Sequence, residues 1–185
     1  MLEKSLAILF ALLILATLIN RFLVWRLPER KGDEVTLRIR TWWGIVICFS
    51  LVISGPRWMT LTFFALISFL ALKEYCTLIS IHFPRWLYWF IPLNYLLIGF
   101  NCFELFLLFI PLSGFLISAT WRVFVGEPSG FLHTVSAIFW CWIMTVFALS
   151  HAAWLLMFPS MNIQGGALLV LFLLALTESN DIAQY

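Results

Sequence analysis

Charge is scarce in this chain. Asp, Glu, Lys and Arg make up 11% of its 185 residues, where a soluble domain carries about a quarter. With 63% of residues hydrophobic, that scarcity excludes an ordinary water-solvated domain and points to lipid as the solvent. The formal net charge of +2 is too small for a nucleic-acid partner. The four cysteines, Cys48, Cys76, Cys102 and Cys141, show no CxxC spacing. That excludes a zinc ribbon or a disulfide framework and leaves them as small buried hydrophobes. No internal repeat or low-complexity linker is visible, and the apolar runs lack the two-residue alternation of a membrane barrel.

Aromatic residues and long apolar runs are what the chain has in abundance. Its 10 Trp and 19 Phe suit interfacial anchors and lipid-facing rings. A span needs about 20 predominantly apolar residues, and backbone groups in hydrocarbon must be bonded within their own segment, so the runs read as helices. The expected architecture is an all-α polytopic membrane protein of about seven transmembrane helices in a single domain. Their approximate spans are 6–25, 42–55, 59–81, 86–100, 103–121, 135–158 and 165–185. The first reads as an uncleaved anchor rather than a signal peptide: its apolar core is long, and no small-x-small site precedes Asn20-Arg21.

With the amino end outside, seven spans place nine cations on the cytoplasmic side: Arg21, Arg26, Arg30, Lys31, Arg38, Arg40, Lys73, Arg85 and Arg122. Only Lys4 and Arg57 then lie outside. The positive-inside rule favours this orientation, with a cytoplasmic carboxyl end.

Most polar residues within the spans have structural readings. Arg21 snorkels to the headgroups. The stretch from Arg26 to Arg40 is a topological signal, its basic residues diluted by Glu29, Asp33 and Glu34. Lys73 and Glu74 sit near a helix end at the interface, and Glu104 meets water at the start of span five. Asn94, beside Pro92, and His151 read as interhelical hydrogen-bonding groups. No second metal ligand lies one turn from His151, and His82 and His133 fall in loops.

The end of the chain is different. Thr177-Glu178-Ser179-Asn180-Asp181 follows an apolar run that starts at Gly165. At 1.5 Å per residue Thr177 lies only about 18 Å into a core about 30 Å thick. An acid near a helix centre costs about 2.5–3.5 kcal/mol on insertion scales, so these residues face protein or a water-filled cavity open to the cytoplasm; the alternative is that span seven is short and the cluster is an ordinary loop. On a helix, Thr177, Glu178 and Asp181 share one face. Clustered carboxylates suit a hard cation such as Mg²⁺, which keeps its waters and carries phosphates.

The segment Glu178-Ser179-Asn180-Asp181-Ile182-Ala183-Gln184-Tyr185, closing a hydrophobic multi-span region, resembles the start of the active-site region of phosphatidate cytidylyltransferases. The commonest form of that motif reads D-S-x-A-Y, of which Asp181 and Tyr185 match the ends. A variant branch reads N-D-x-A-Q-Y, and Asn180 to Tyr185 matches it throughout. The resemblance implies an enzyme of phospholipid biosynthesis that joins CTP and phosphatidate to give CDP-diacylglycerol and pyrophosphate. It also implies Mg²⁺ and a bacterial inner (plasma) membrane location. Asp181 is then the candidate catalytic residue and metal ligand, Glu178 a second metal ligand, and Asn180 and Gln184 nucleotide-site neighbours. The later Ser-Pro-x-Lys-Thr motif of that family does not occur in these residues. The chain is therefore expected to be the N-terminal membrane half of such a protein, lacking the catalytic C-terminal half and inactive alone. Homo-oligomers through transmembrane helices are compatible with the composition. The alternative readings are a small transporter or channel subunit, for which matched broken helices would speak, and a structural partner of another membrane enzyme.

Overall fold

Glycine and proline divide the apolar sequence into helices. In the computed structural model, which describes residues 2–26, 34–79, 85–126, 130–157 and 163–183, nearly everything is helical and no strand occurs among the described residues. The helices are α1 (Leu2–Arg26), α2 (Glu34–Ser54), α3 (Arg57–Ile79), α4 (Phe90–Gly99), α5 (Phe103–Val125), α6 (Phe131–Trp142), α7 (Ala148–Met157) and α8 (Ile163–Ala183). A 3₁₀ turn, Arg85–Trp89, leads into α4, and a π-helical turn, Ile143–Phe147, joins α6 to α7. Gly126 at φ 75° stops α5 in the left-handed conformation that glycine tolerates.

Among the described residues, five helical segments are long and apolar enough to cross a membrane, and two shorter apolar ones, Leu87–Gly99 and Gly165–Thr177, accompany them. Along α1, Ile8, Leu12, Leu15, Leu18, Ile19 and Phe22 are each at least half exposed. A surface so continuously apolar is a lipid-facing surface.

Two compact units form. The first holds α1, α2 and α8. Here α1 and α2 run antiparallel, joined by a bond from Trp43 Nε1 to Thr17 Oγ1 (3.0 Å) and one from Asn20 Nδ2 to Thr36 Oγ1 (3.1 Å). Those contacts account for a difference from the expected spans. α2 begins at Glu34 rather than near Trp42, because Thr36 has a partner on α1 and the first turns of α2 are thereby held.

The second unit holds α3 to α7. α3 buries Thr60, Phe64, Ser68, Leu72 and Cys76 at four-residue spacing, and α5 buries Phe106, Ile110 and Ser118 in the same register. Ser68 and Tyr95 share a buried hydrogen bond of 2.6 Å between α3 and α4. Arg57 Nη2 donates to the Ile98 carbonyl (3.1 Å) and to Asn101 Oδ1 (2.5 Å). This anchors the turn in which Asn101 adopts φ 60°, a conformation Asn accepts more readily than most residues.

Three expectations change here. His133 lies inside α6, not in a loop, while His82 lies outside the described residues. His151 bonds within its own helix: its Nδ1 lies 2.8 Å from the Phe147 carbonyl. A carbonyl only accepts, so Nδ1 carries the proton. The ring also packs on Phe106 (5.1 Å) and Phe147 (4.6 Å). Asn94 is fully buried, yet neither amide atom has a hydrogen-bond partner among the described residues, so it does not tie helices together by a side-chain hydrogen bond. An unpaired buried polar group costs about 1–3 kcal/mol. Asn94→Leu, similar in shape and apolar, is therefore expected to stabilise unit two by about that amount. SDS titration of the helical signal measures it, and a lower midpoint for the variant would contradict the assignment.

Candidate functional site

α8 carries the acidic cluster, and its apolar portion explains how. Gly165 to Thr177 forms an apolar helix, and the same helix continues without a break through Glu178, Ser179, Asn180 and Asp181 to Ala183. Helix register places positions 178 and 181 on one face, with 177 beside 181. The side chains of Glu178 and Asp181 lie outside the described residues, as does Gln184 altogether. Asn180 is exposed. Thr177 donates its hydroxyl back along the helix to the carbonyls of Leu173 (3.0 Å) and Leu174 (2.8 Å). Its proton is thus committed to its own backbone, and its lone pairs remain available.

Immediately before the cluster, α8 lines an apolar cavity of about 80 Å³ with α1 and α2. Leu6 and Leu9 come from α1, Trp42, Val46 and Phe49 from α2, and Leu171, Leu174 and Ala175 from α8. Polar helix end and apolar cavity are thus consecutive on one element. Among the described residues no three His, Cys, Asp or Glu side chains converge as a metal site. Lys73 and Glu74 are both exposed on α3, as expected for an interfacial pair.

The chain matches the Cytidylyltransferase family over residues 36–185. It belongs to that family. The match runs from the second residue after the start of α2 to Tyr185, two positions past the last residue of α8, so the cluster lies inside the family region. Membership supports a CTP-using transferase. The chain is also similar to the "Uncharacterized protein YnbB" of Escherichia coli (strain K12), at 91% identity over 185 residues. The match covers all of this chain and 62% of that relative. No solved structure matches.

Several features of this cytidylyltransferase-family fold had no signal in the sequence. The thiols of Cys76 and Cys141, 65 residues apart, lie 3.4 Å from each other. The π turn at Ile143–Phe147 sits in an apolar run that reads as ordinary helix. Asn94 is recognisable as a polar residue in a span, but its lack of a hydrogen-bond partner among the described residues depends on which helix faces meet.

Proposed function

We propose that this protein serves phospholipid biosynthesis as a phosphatidate cytidylyltransferase, joining CTP and phosphatidate to give CDP-diacylglycerol and pyrophosphate. One observation carries the reading. The hexapeptide Asn180-Asp181-Ile182-Ala183-Gln184-Tyr185 closes the described membrane helices within a region that belongs to the cytidylyltransferase family. In the reaction a phosphatidate phosphate oxygen attacks the α-phosphorus of CTP. The new P–O bond forms as the bond to the departing pyrophosphate breaks.

The donor set suits Mg²⁺. Two carboxylates three residues apart on a helix match an ion that takes one or two protein carboxylates and leaves its other positions to water and phosphates. Asp181 and Glu178 would hold it, and when bound it supplies charge neutralisation for the pyrophosphate. Asn180, exposed at the same helix end, and Gln184 offer amides to the nucleotide. The apolar cavity just before the cluster offers an acyl chain a surface next to the polar chemistry. The expected seven-span order, which would put nine of the eleven Lys and Arg on one side, favours a cytoplasmic carboxyl end, where CTP is found, in a bacterial inner membrane.

The test uses a chimera in which these 185 residues replace the matched region of the E. coli relative. Membranes containing it, given radiolabelled CTP, Mg²⁺ and phosphatidate, should yield CDP-diacylglycerol above vector membranes. The 185 residues alone should not. Product from another phosphorylated acceptor but not from phosphatidate would replace the substrate assignment; no CTP-dependent product with any acceptor would remove the function.

A further inference from the structure

Independently of the proposed reaction, unit two contains a pair of thiols that the chemistry above does not use. Cys76 lies on α3 near its carboxyl end and Cys141 on α6, two residues before the π turn begins at Ile143. Their sulfurs are 3.4 Å apart, and the residues are 8% and 2% exposed. Cys48 and Cys102 are both exposed. A disulfide requires about 2.05 Å between sulfurs, so the two need approach by only a little over an ångström. The Cys141 carbonyl accepts a 2.6 Å bond from Thr145 Oγ1 within the π turn, which ties the position of Cys141 to the irregular segment. Single π turns concentrate at functional positions in helices.

We propose that Cys76 and Cys141 form an oxidisable dithiol, which a small uncharged peroxide closes to a disulfide that locks α3 to α6 at the entry to the π turn. The sites are buried among apolar helices, so the oxidant must cross hydrocarbon, and hydrogen peroxide is the smallest neutral species of this class. Cys76, the more exposed, reacts first: its sulfur takes one peroxide oxygen and the O–O bond breaks, giving the sulfenic acid and water. The Cys141 sulfur then attacks the Cys76 sulfur. The S–S bond forms, the S–O bond breaks, and the Cys141 proton leaves with the hydroxyl as a second water. Two thiols and one peroxide become one disulfide and two waters, and a dithiol reductant reverses the change.

The pair can be read by counting thiols. A variant carrying Cys48→Ser and Cys102→Ser, purified in detergent, is treated with hydrogen peroxide, unfolded in SDS and labelled with maleimide-polyethylene glycol. Two labels before peroxide, none after it, and two again when dithiothreitol precedes labelling are the expected result. Adding Cys76→Ser should leave the Cys141 label unchanged by the same peroxide dose. Peptide mapping of the oxidised four-cysteine chain should find a Cys76–Cys141 link, which keeps the test decisive if the variants fold poorly. Two labels surviving peroxide, loss of label that dithiothreitol does not restore, or links through Cys48 or Cys102 instead would each overturn the proposal.

Discussion

Asp181→Asn, placed in the chimera with the E. coli relative, is expected to lower CDP-diacylglycerol formation by about a hundredfold or more. The exchange keeps the shape of the side chain and removes its charge. A carboxylate that holds a cation against pyrophosphate contributes mainly through that charge, and losing one group aimed at charge in the transition state costs on the order of 10²–10³ in rate. Glu178→Gln, one turn earlier on the same face, should lose less if Asp181 is the principal ligand. Its loss should also shrink as Mg²⁺ is raised. Asn180→Ala should act on the KM for CTP rather than on turnover, because an exposed amide contributes hydrogen bonds that ground state and transition state share. Initial rates across CTP and Mg²⁺ concentrations separate the three. An Asp181→Asn chimera within about threefold of the parent would sink the site assignment while leaving the family membership untouched.

Gly114→Leu is the substitution expected to damage the membrane fold most. Gly114 lies on the face of α5 that also carries Phe106, Ile110 and Ser118. A Cβ built there would stand 2.9 Å from Trp142 Cδ1 and 3.2 Å from its Nε1. Trp142 is 3% exposed and stacks edge-on against Phe90, so its ring has little room to retreat. Overpacking of a well-filled core costs about 1–3 kcal/mol, and a leucine adds three carbons beyond the offending Cβ. The expected outcome is loss of well-folded protein in detergent extracts, with a lower SDS-unfolding midpoint for whatever remains. Gly114→Ala should fall between parent and leucine variant. Parent-like behaviour of Gly114→Leu would mean that α5 and α6 meet elsewhere. By contrast Gly44, which has nothing within 4 Å of a built Cβ, should accept alanine without loss.

The helical architecture was legible because its causes are local. Each apolar run must bond its own backbone in hydrocarbon, and Pro and Gly interrupt those runs at recognisable places. The ends were less legible. Phe131–Thr134 extended α6 beyond the apolar run, and Glu34–Thr41 became helix although its charges resemble a loop, since Asn20 of α1 reaches Thr36. The acidic cluster stood out because two carboxylates follow an apolar segment too short to have crossed the bilayer, and α8 carries them as one continuous helix.

Within the chain's own residues, then, composition and order determined the apolar helices and placed the polar Asn180–Tyr185 segment inside the region that matches the cytidylyltransferase family. Tertiary structure alone decided that Cys76 meets Cys141, that Asn94 finds no hydrogen-bond partner among the described residues, that His151 turns to its own backbone, and that Gly114 makes room for Trp142. The physical reason is that helix formation in lipid is a property of each segment. Helices apolar on nearly every side carry no stripe that says which face will be covered, so pairing is settled only where small residues and bulky rings fit together across helices far apart in sequence.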